Sequence, residues 1–269
     1  MNLKIRVIVE NQAKPPFLAE HGLSLLLEYS GTSILFDTGA GRAFSVNFPL
    51  FKQKMPDFAV LSHGHNDHTG GVPYLQTFQT VFFAPGIGKA RFSRHADGSL
   101  HSLGMSRESI ALLKQCKGKE INRFTEILPE VFFTGPIPRE SDEDCGGNFL
   151  LDAEKNIPDI LEDETALLFS NGVLVLGCCH AGLINTVLYC EKQRPDIPVR
   201  AVIGGLHLLH ADMPRLHKTA DFLQGTRIKH LFPLHCTGDY AIEFLREQLP
   251  DITIEKHIAG DCFEVQLPC

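Results

Sequence analysis

The stretch from Phe58 to Gly71 constrains this chain more than any other. An apolar run, Phe58-Ala59-Val60-Leu61, passes directly into Ser62-His63-Gly64-His65-Asn66-Asp67-His68-Thr69-Gly70-Gly71. Four apolar residues bounded by turn formers read as a buried strand. Four ligand-type side chains then fall within the six residues His63 to His68. On an extended segment His63 and His65 point to the same side. Asp67 and His68 follow where the chain turns, so they address a second point nearby. Gly64, Gly70 and Gly71 give the backbone freedom for that turn. Imidazoles with one carboxylate suit zinc, manganese or iron, whereas calcium wants oxygen ligands throughout. A polar surface turn explains one chance histidine readily and this whole constellation poorly.

The same kind of apolar run recurs along the chain. Val7–Val9, Leu23–Leu27, Ile34–Phe36, Val81–Phe83, Val131–Phe133, Ala166–Phe169, Val173–Leu176, Val199–Ile203 and Leu231–Leu234 are short and rich in β-branched or aromatic residues. Ser170-Asn171-Gly172 and the segment from Glu28 to Thr32 read as hairpin turns. Amphipathic helical patterns alternate with the strands over Ser106–Lys117, Ala181–Gln193, Asp212–Leu223 and Tyr240–Leu249. The expected architecture is α/β, a four-layer αββα sandwich of two mixed β-sheets flanked by helices. No repeat or low-complexity linker divides the chain, so residues 1–269 read as a single domain. Residues 84–148 read as an excursion from the core that faces substrate.

Composition narrows the function. With 25 basic and 32 acidic residues the formal charge is −7, which argues against a broad grip on nucleic acid or an anionic membrane. No apolar stretch reaches the length of a membrane span. The start, Lys4 to Glu10, alternates like a strand and lacks the apolar core of a signal peptide. Eight dispersed cysteines without paired CxxC motifs then imply reduced thiols and a cytoplasmic setting. No phosphate-binding glycine loop or nucleophile elbow competes with the histidine cluster.

Further segments place the chain in a family. Ile34-Leu35-Phe36-Asp37-Thr38-Gly39, Leu174 to Gly182 with Gly177-Cys178-Cys179-His180-Ala181-Gly182, and Phe232-Pro233-Leu234-His235-Cys236-Thr237-Gly238 are three more strands ending in chemically active residues. With the His-x-His-x-Asp-His stretch they resemble the metallo-β-lactamase superfamily over nearly the whole chain. His21–Ser24, Gly177–Gly182, Gly204–Leu208 and His235–Gly238 resemble more closely the 7,8-dihydropterin-6-methyl-4-(β-D-ribofuranosyl)aminobenzene-5′-phosphate synthases and related metal-dependent hydrolases.

The resemblance implies one or two divalent transition metal ions, zinc foremost, with manganese or iron as alternatives. His63, His65 and His180 are the expected ligands of one ion, and Asp67, His68 and His235 of the other. Asp37 is expected to orient a ligand imidazole. Two departures leave alternatives open. Glu162-Asp163-Glu164-Thr165 stands where many members carry a histidine, and Cys178 stands where a bridging aspartate is expected. Cys178 and Asp163 are therefore alternative ligands. Asp67 and His207 are the expected proton carriers, and Arg91, Arg94, Arg107 and Arg139 the expected contacts of a small anionic substrate. The implied activity is hydrolysis of an anionic ester, phosphoester, lactone or amide by a metal-bound hydroxide. The alternatives are condensation of a phosphorylated sugar with an aromatic amine on the same site, or a non-hydrolytic redox or sensing role.

Overall fold

Alternation along single strands builds the layers. In Val173–Leu176 the side chains of Val173 and Val175 enter one core, while Leu174 and Leu176 enter another. Ala166–Phe169 divides in the same way, as the two faces of a pleated strand require. The computed structural model describes residues 2–77, 79–94, 97–143 and 147–267. It contains two seven-stranded sheets. The first runs Cys262–Val265, Leu3–Val9, Ser24–Tyr29, Thr32–Phe36, Phe58–Val60, Thr80–Phe83, Lys117–Glu120. The second runs Thr253–Ile254, His230–Pro233, Ala201–Gly204, Val173–Leu176, Ala166–Phe169, Val131–Phe133, Thr125–Leu128.

Ile5, Leu25, Phe36 and Val60 from the first sheet meet Phe133, Leu167, Val175 and Ile203 from the second in the central core. Helices Leu183–Gln193, Met213–Gln224 and Asp239–Gln248 cover the outer face of the second sheet. Helices Arg42–Leu50 and Arg107–Leu113 cover the first. Three cores between four layers make the αββα sandwich that the sequence predicts.

Each sheet has a parallel half. Thr32–Phe36, Phe58–Val60 and Thr80–Phe83 are parallel neighbours, as are Val173–Leu176, Ala201–Gly204 and His230–Pro233. Asp37, His63, His65, Asp67, His68, Cys178, His180, His207 and His235 all follow the carboxyl ends of these parallel strands. Loops there are free to carry function because the strands need them only as connections.

Several boundaries differ from the sequence reading. The helix expected over Ser106–Lys117 spans Arg107–Leu113, with Ser106 Oγ accepting the Ser109 N–H at 2.9 Å. It ends early because Lys117–Glu120 joins the first sheet beside Thr80–Phe83. Residues 84–148 are accordingly no simple excursion, since Lys117–Glu120, Thr125–Leu128 and Val131–Phe133 belong to the main sheets. Phe92–Arg94 and Leu100–Ser102 instead join Phe149–Asp152 and Ile157–Pro158 in a small third sheet. In the turn after Phe169, Gly172, at φ 87°, takes the left-handed conformation and Asn171 does not. Six cysteines are free; Cys145 and Cys269 lie outside the described residues. Among the described residues no helix is long and apolar enough to cross a membrane.

Candidate metal centre

Backbone hydrogen bonds hold the histidine loop on three sides. Leu61 N–H still donates to Phe82 O at 3.0 Å, so the loop begins under the control of the first sheet. Asn66–Thr69 then forms one helical turn that brings the His68 ring to 4.3 Å from that of His63. The glycines act differently from the expectation. None of Gly64, Gly70 and Gly71 has a positive φ; each is needed because backbone passes close by. A Cβ on Gly64 would lie 2.0 Å from Ile87 O and 2.1 Å from Arg91 Nη1. Gly64→Ala should therefore cost about 1–3 kcal/mol by overpacking and weaken metal binding by roughly tenfold or more, because it shifts the loop between His63 and His65. Thermal unfolding and metal titration check both effects. A variant with unchanged affinity would show that the loop is not under this constraint.

Neighbouring side chains fix the imidazoles. Asp37, fully buried, accepts the Ser62 N–H at 2.7 Å and the Ser62 hydroxyl at 2.7 Å, and holds His68 Nδ1 at 2.6 Å. Having given its only proton to Asp37, Ser62 Oγ accepts from His63 Nδ1 at 2.9 Å. Asn11 Oδ1 engages His235 Nδ1 at 2.8 Å. In all three rings Nδ1 is committed and Nε2 is left to face inward, the arrangement that fixes a ligand tautomer. His63 Nε2, His65 Nε2, His235 Nε2 and both ring nitrogens of His180 are buried with no hydrogen-bond partner. Native interiors rarely tolerate such orphans, and a divalent transition metal is what imidazole nitrogens without protons accept.

Two sets of donors adjoin one another. Ligand atoms of His63, His65 and His180 all lie within 4.8 Å of one another. Beside them His63, His68 and Cys178 form a second such group, with His68 Nε2 only 3.0 Å from Cys178 Sγ. Asp67 Oδ2 lies 3.9 Å from His68 Nε2 and 3.3 Å from His235 Nε2. Cys236 and His21 enter further groups with His235. His180 and Cys178 thus both face the centre, while Asp163 does not. Its Oδ2 accepts the Gly64 N–H at 2.9 Å and its Oδ1 pairs with Arg91 Nη2 at 2.6 Å.

Strain and charge mark the same place. Asp37, Cys179, His207 and His235 have φ between 48° and 62°, a conformation that costs a non-glycine residue on the order of 1 kcal/mol or more and concentrates at functional sites. Burial, aided by His68, holds His63 well below the imidazole range, and burial brings His65 down to about 3. Burial and then His207 depress His180. Burial also lowers His235, to about 4. These rings are neutral at pH 7, the form that ligates. His68 runs the other way: burial opposes its charge, but the Asp37 and Asp67 carboxylates raise it to about 9. Burial would raise Asp67, yet His68, His21 and His235 hold it well below the carboxylate range. Burial, with Cys236 beside it, pushes the Cys178 thiol well up.

Residues 19–194 match the family model of the Metallo-beta-lactamase superfamily. The chain belongs to this superfamily. An uncharacterised protein of Methanocaldococcus jannaschii is 30% identical over 252 residues, covering 90% of this chain and 94% of its own. A second protein of that organism, named 7,8-dihydropterin-6-methyl-4-(beta-D-ribofuranosyl)-aminobenzene-5′-phosphate synthase, is 28% identical and covers 93% of this chain and 92% of its own. A crystal structure described as a metal-dependent hydrolase of the beta-lactamase superfamily has a TM-score of 0.85 at 27% identity, over 98% of this chain and 99% of that one.

In this member of the superfamily the acidic segment Glu162-Asp163-Glu164-Thr165 supports both ligand loops. Asp163 holds the Gly64 N–H, and Thr165 binds Ser62 O through its N–H at 2.8 Å and its hydroxyl at 3.1 Å. Glu164 accepts the backbone N–H groups of His180 and Ala181. Burial raises Glu164 to about 7. Neither this support nor the part of Asn11 was legible beforehand, because both depend on residues far from the ligands in sequence.

A cavity of about 510 Å³ opens over the centre. Phe149 of the small sheet covers it, with ring centroids 4.9 Å from His65 and 5.2 Å from His180. His207 stands on its wall, 4.4 Å from the His180 ring. The four arginines expected to meet substrate separate. Arg94 lines the cavity, its Nη2 donating to Ala153 O at 3.0 Å and Asn156 Oδ1 at 2.8 Å. Arg91 is only 1% exposed and is consumed by Asp159 and Asp163 at 2.7 and 2.6 Å. Arg139 is exposed and donates to Ile160 O, and Arg107 is exposed on the first turn of its helix; neither lines the cavity. Arg215 does, and the sequence reading passed over it.

Proposed function

We propose that this chain is a metal-dependent hydrolase of a small anionic ester, phosphoester, lactone or amide. The observation that carries the reading is the set of buried, unpartnered ring nitrogens of His65 and His180 on the cavity wall, with that of His63 packed beside them. His63, His65 and His180 would hold one ion. His68, Asp67 and His235 would hold a second, with Cys178 as a further donor. Zinc fits this set first, and manganese or iron remain alternatives. When bound, such ions supply Lewis acidity and acidify a water that they coordinate.

The chain's own residues bind, orient and move protons. Asp37, Ser62 and Asn11 hold the imidazoles in the ligating tautomer. Asp67 Oδ2, 3.3 Å from both His21 Nε2 and His235 Nε2, is placed to take or steer a proton at the cavity floor. His207 is placed to contact substrate or protonate a leaving group. Phe149 packs against the His65 and His180 rings and narrows access to them. A soluble small molecule is the partner this cavity suits, in keeping with the −7 charge.

The relative named a synthase, 28% identical over 93% of this chain, favours a second reading, condensation of a phosphorylated sugar with an aromatic amine. Elemental analysis with a panel of phosphodiester, lactone and thioester substrates separates the two. Protein purified without chelator should carry roughly one to two transition metals per chain and hydrolyse at least one class, losing both on chelation. Condensation without hydrolysis would favour the second reading. Protein inert after zinc, manganese or iron is added would sink both.

A further inference from the structure

The cavity holds a positive charge that forms no ion pair among the described residues. Arg215 lies in the first turn of helix Met213–Gln224, where Asp212 accepts its backbone N–H at 3.0 Å. Its side chain lines the cavity with Arg94, His207 and the ligand residues His180 and His235. Arg215 is only 9% exposed, and its Nε is buried with no acceptor. Arg91 makes the comparison plain, since that buried guanidinium has two carboxylates within 2.7 Å. Among the described residues Arg215 forms no such pair. Glu143 is close enough to feel its charge, yet the two Glu143 oxygens accept the Leu183 and Ile184 N–H groups at 3.1 and 2.9 Å. They cap helix Leu183–Gln193, which precedes that of Arg215 in the chain.

A buried guanidinium without a partner is costly. The cost is removed when a ligand supplies the missing oxyanion, which the planar fork of arginine grips through paired hydrogen bonds. We propose that Arg215 anchors an oxyanion of the substrate, a phosphate or carboxylate group, on the helix wall of this cavity. Arg94 is its solvent-facing second contact. Leu103, Phe149 and Leu209 also line the cavity, so they suit an apolar body between the anchored end and the scissile bond. The proposal rests on the hydrolase reading only in taking this cavity as the substrate site.

The test is calorimetric titration of inorganic phosphate and of benzoate into the metal-loaded protein, Arg215→Met, Arg215→Lys and His180→Ala. Methionine keeps the apolar stem and removes the charge. For the probe that the wild type prefers, Arg215→Met should lose about 10- to 100-fold in affinity, the range for a charge-assisted hydrogen bond, with metal content unchanged. Arg215→Lys should fall between. His180→Ala should retain oxyanion binding that depends on Arg215. Unfolding gives a second readout: Arg215→Met should melt no lower than the wild type, and the preferred oxyanion should raise the melting temperature of the wild type alone.

Equal affinity in wild type and Arg215→Met, no binding of either probe at millimolar concentration, or a destabilised Arg215→Met would overturn the proposal. If the wild type hydrolyses nothing while oxyanion binding still requires Arg215, the hydrolase reading falls and the anchor stands. If hydrolysis is found and Arg215→Met leaves KM for anionic substrates unchanged, the anchor falls and the hydrolase reading stands.

Discussion

His180→Ala should release at least one metal equivalent per chain and lower kcat/KM by roughly a thousandfold or more, the scale of a lost Lewis acid. His180 is the member of the His63, His65, His180 group that comes from the second sheet. Without it that group has two donors, both on one short loop. The fold should survive. The position of the loop is set by backbone N–H groups of residues 180 and 181 donating to Glu164, and alanine keeps both. Both nitrogens of the lost ring are unpartnered, so their removal costs the metal-free protein little. Unfolding of the metal-free wild type and variant should therefore coincide. Added zinc should raise the melting temperature of the wild type far more than that of the variant, because only a bound ligand stabilises by mass action. A variant that keeps its metal and its activity would refute the assignment of His180.

How much of this was readable in advance depended on distance along the chain. Phe58 to His68 announced itself because strand, turn and ligands are contiguous, and periodicity alone put His63 and His65 on one side. The alternation of Ala166–Phe169 and Val173–Leu176 with a turn between them likewise carried its own geometry. Helix Arg42–Leu50 was missed; Pro49 sits inside it and blurs its end. The strand Lys117–Glu120 was missed because its residues are exposed and polar; only the edge of the first sheet makes it a strand. At the centre, local sequence supplied ligand types and left their partners out. Asn11 meets His235 across 224 residues, and Asp163 meets Gly64 across 99. Cys236 and His21 lay inside quoted motifs without a role, since only the packed strand ends bring them beside Asp67, Cys178 and His235. The arginines show the same limit most sharply. Charge in a glycine-rich segment drew attention to Arg91, whereas the lack of an ion pair among the described residues, which only three dimensions reveal, distinguishes Arg215.

Arg91→Met should destabilise the protein by about 3–5 kcal/mol, the cost of breaking a buried ion pair from one side. Arg91 is 1% exposed, and its loss leaves Asp159 and Asp163 buried without a cation. At this chain length that corresponds to a fall in melting temperature of about 10 °C. The deficit should depend on pH. Burial already raises Asp163 above its ordinary value in spite of Arg91. Removing the guanidinium raises it further, so across the window above 3.8 the folded variant binds more protons than the unfolded chain. Its stability must then fall as pH rises, and the variant should lie nearer the wild type at pH 5 than at pH 8. Asp163 also holds the Gly64 N–H between two ligand histidines, so metal affinity should drop with stability, by roughly 10- to 100-fold. Adding Asp159→Asn and Asp163→Asn to Arg91→Met should recover much of the lost stability, because the uncompensated charges go. An arginine that met substrate would behave in the opposite way, raising KM while melting temperature and metal content stayed constant. Unfolding curves at the two pH values, with metal titrations, decide between these outcomes; a variant as stable as the wild type at pH 8 would return Arg91 to the list of substrate contacts.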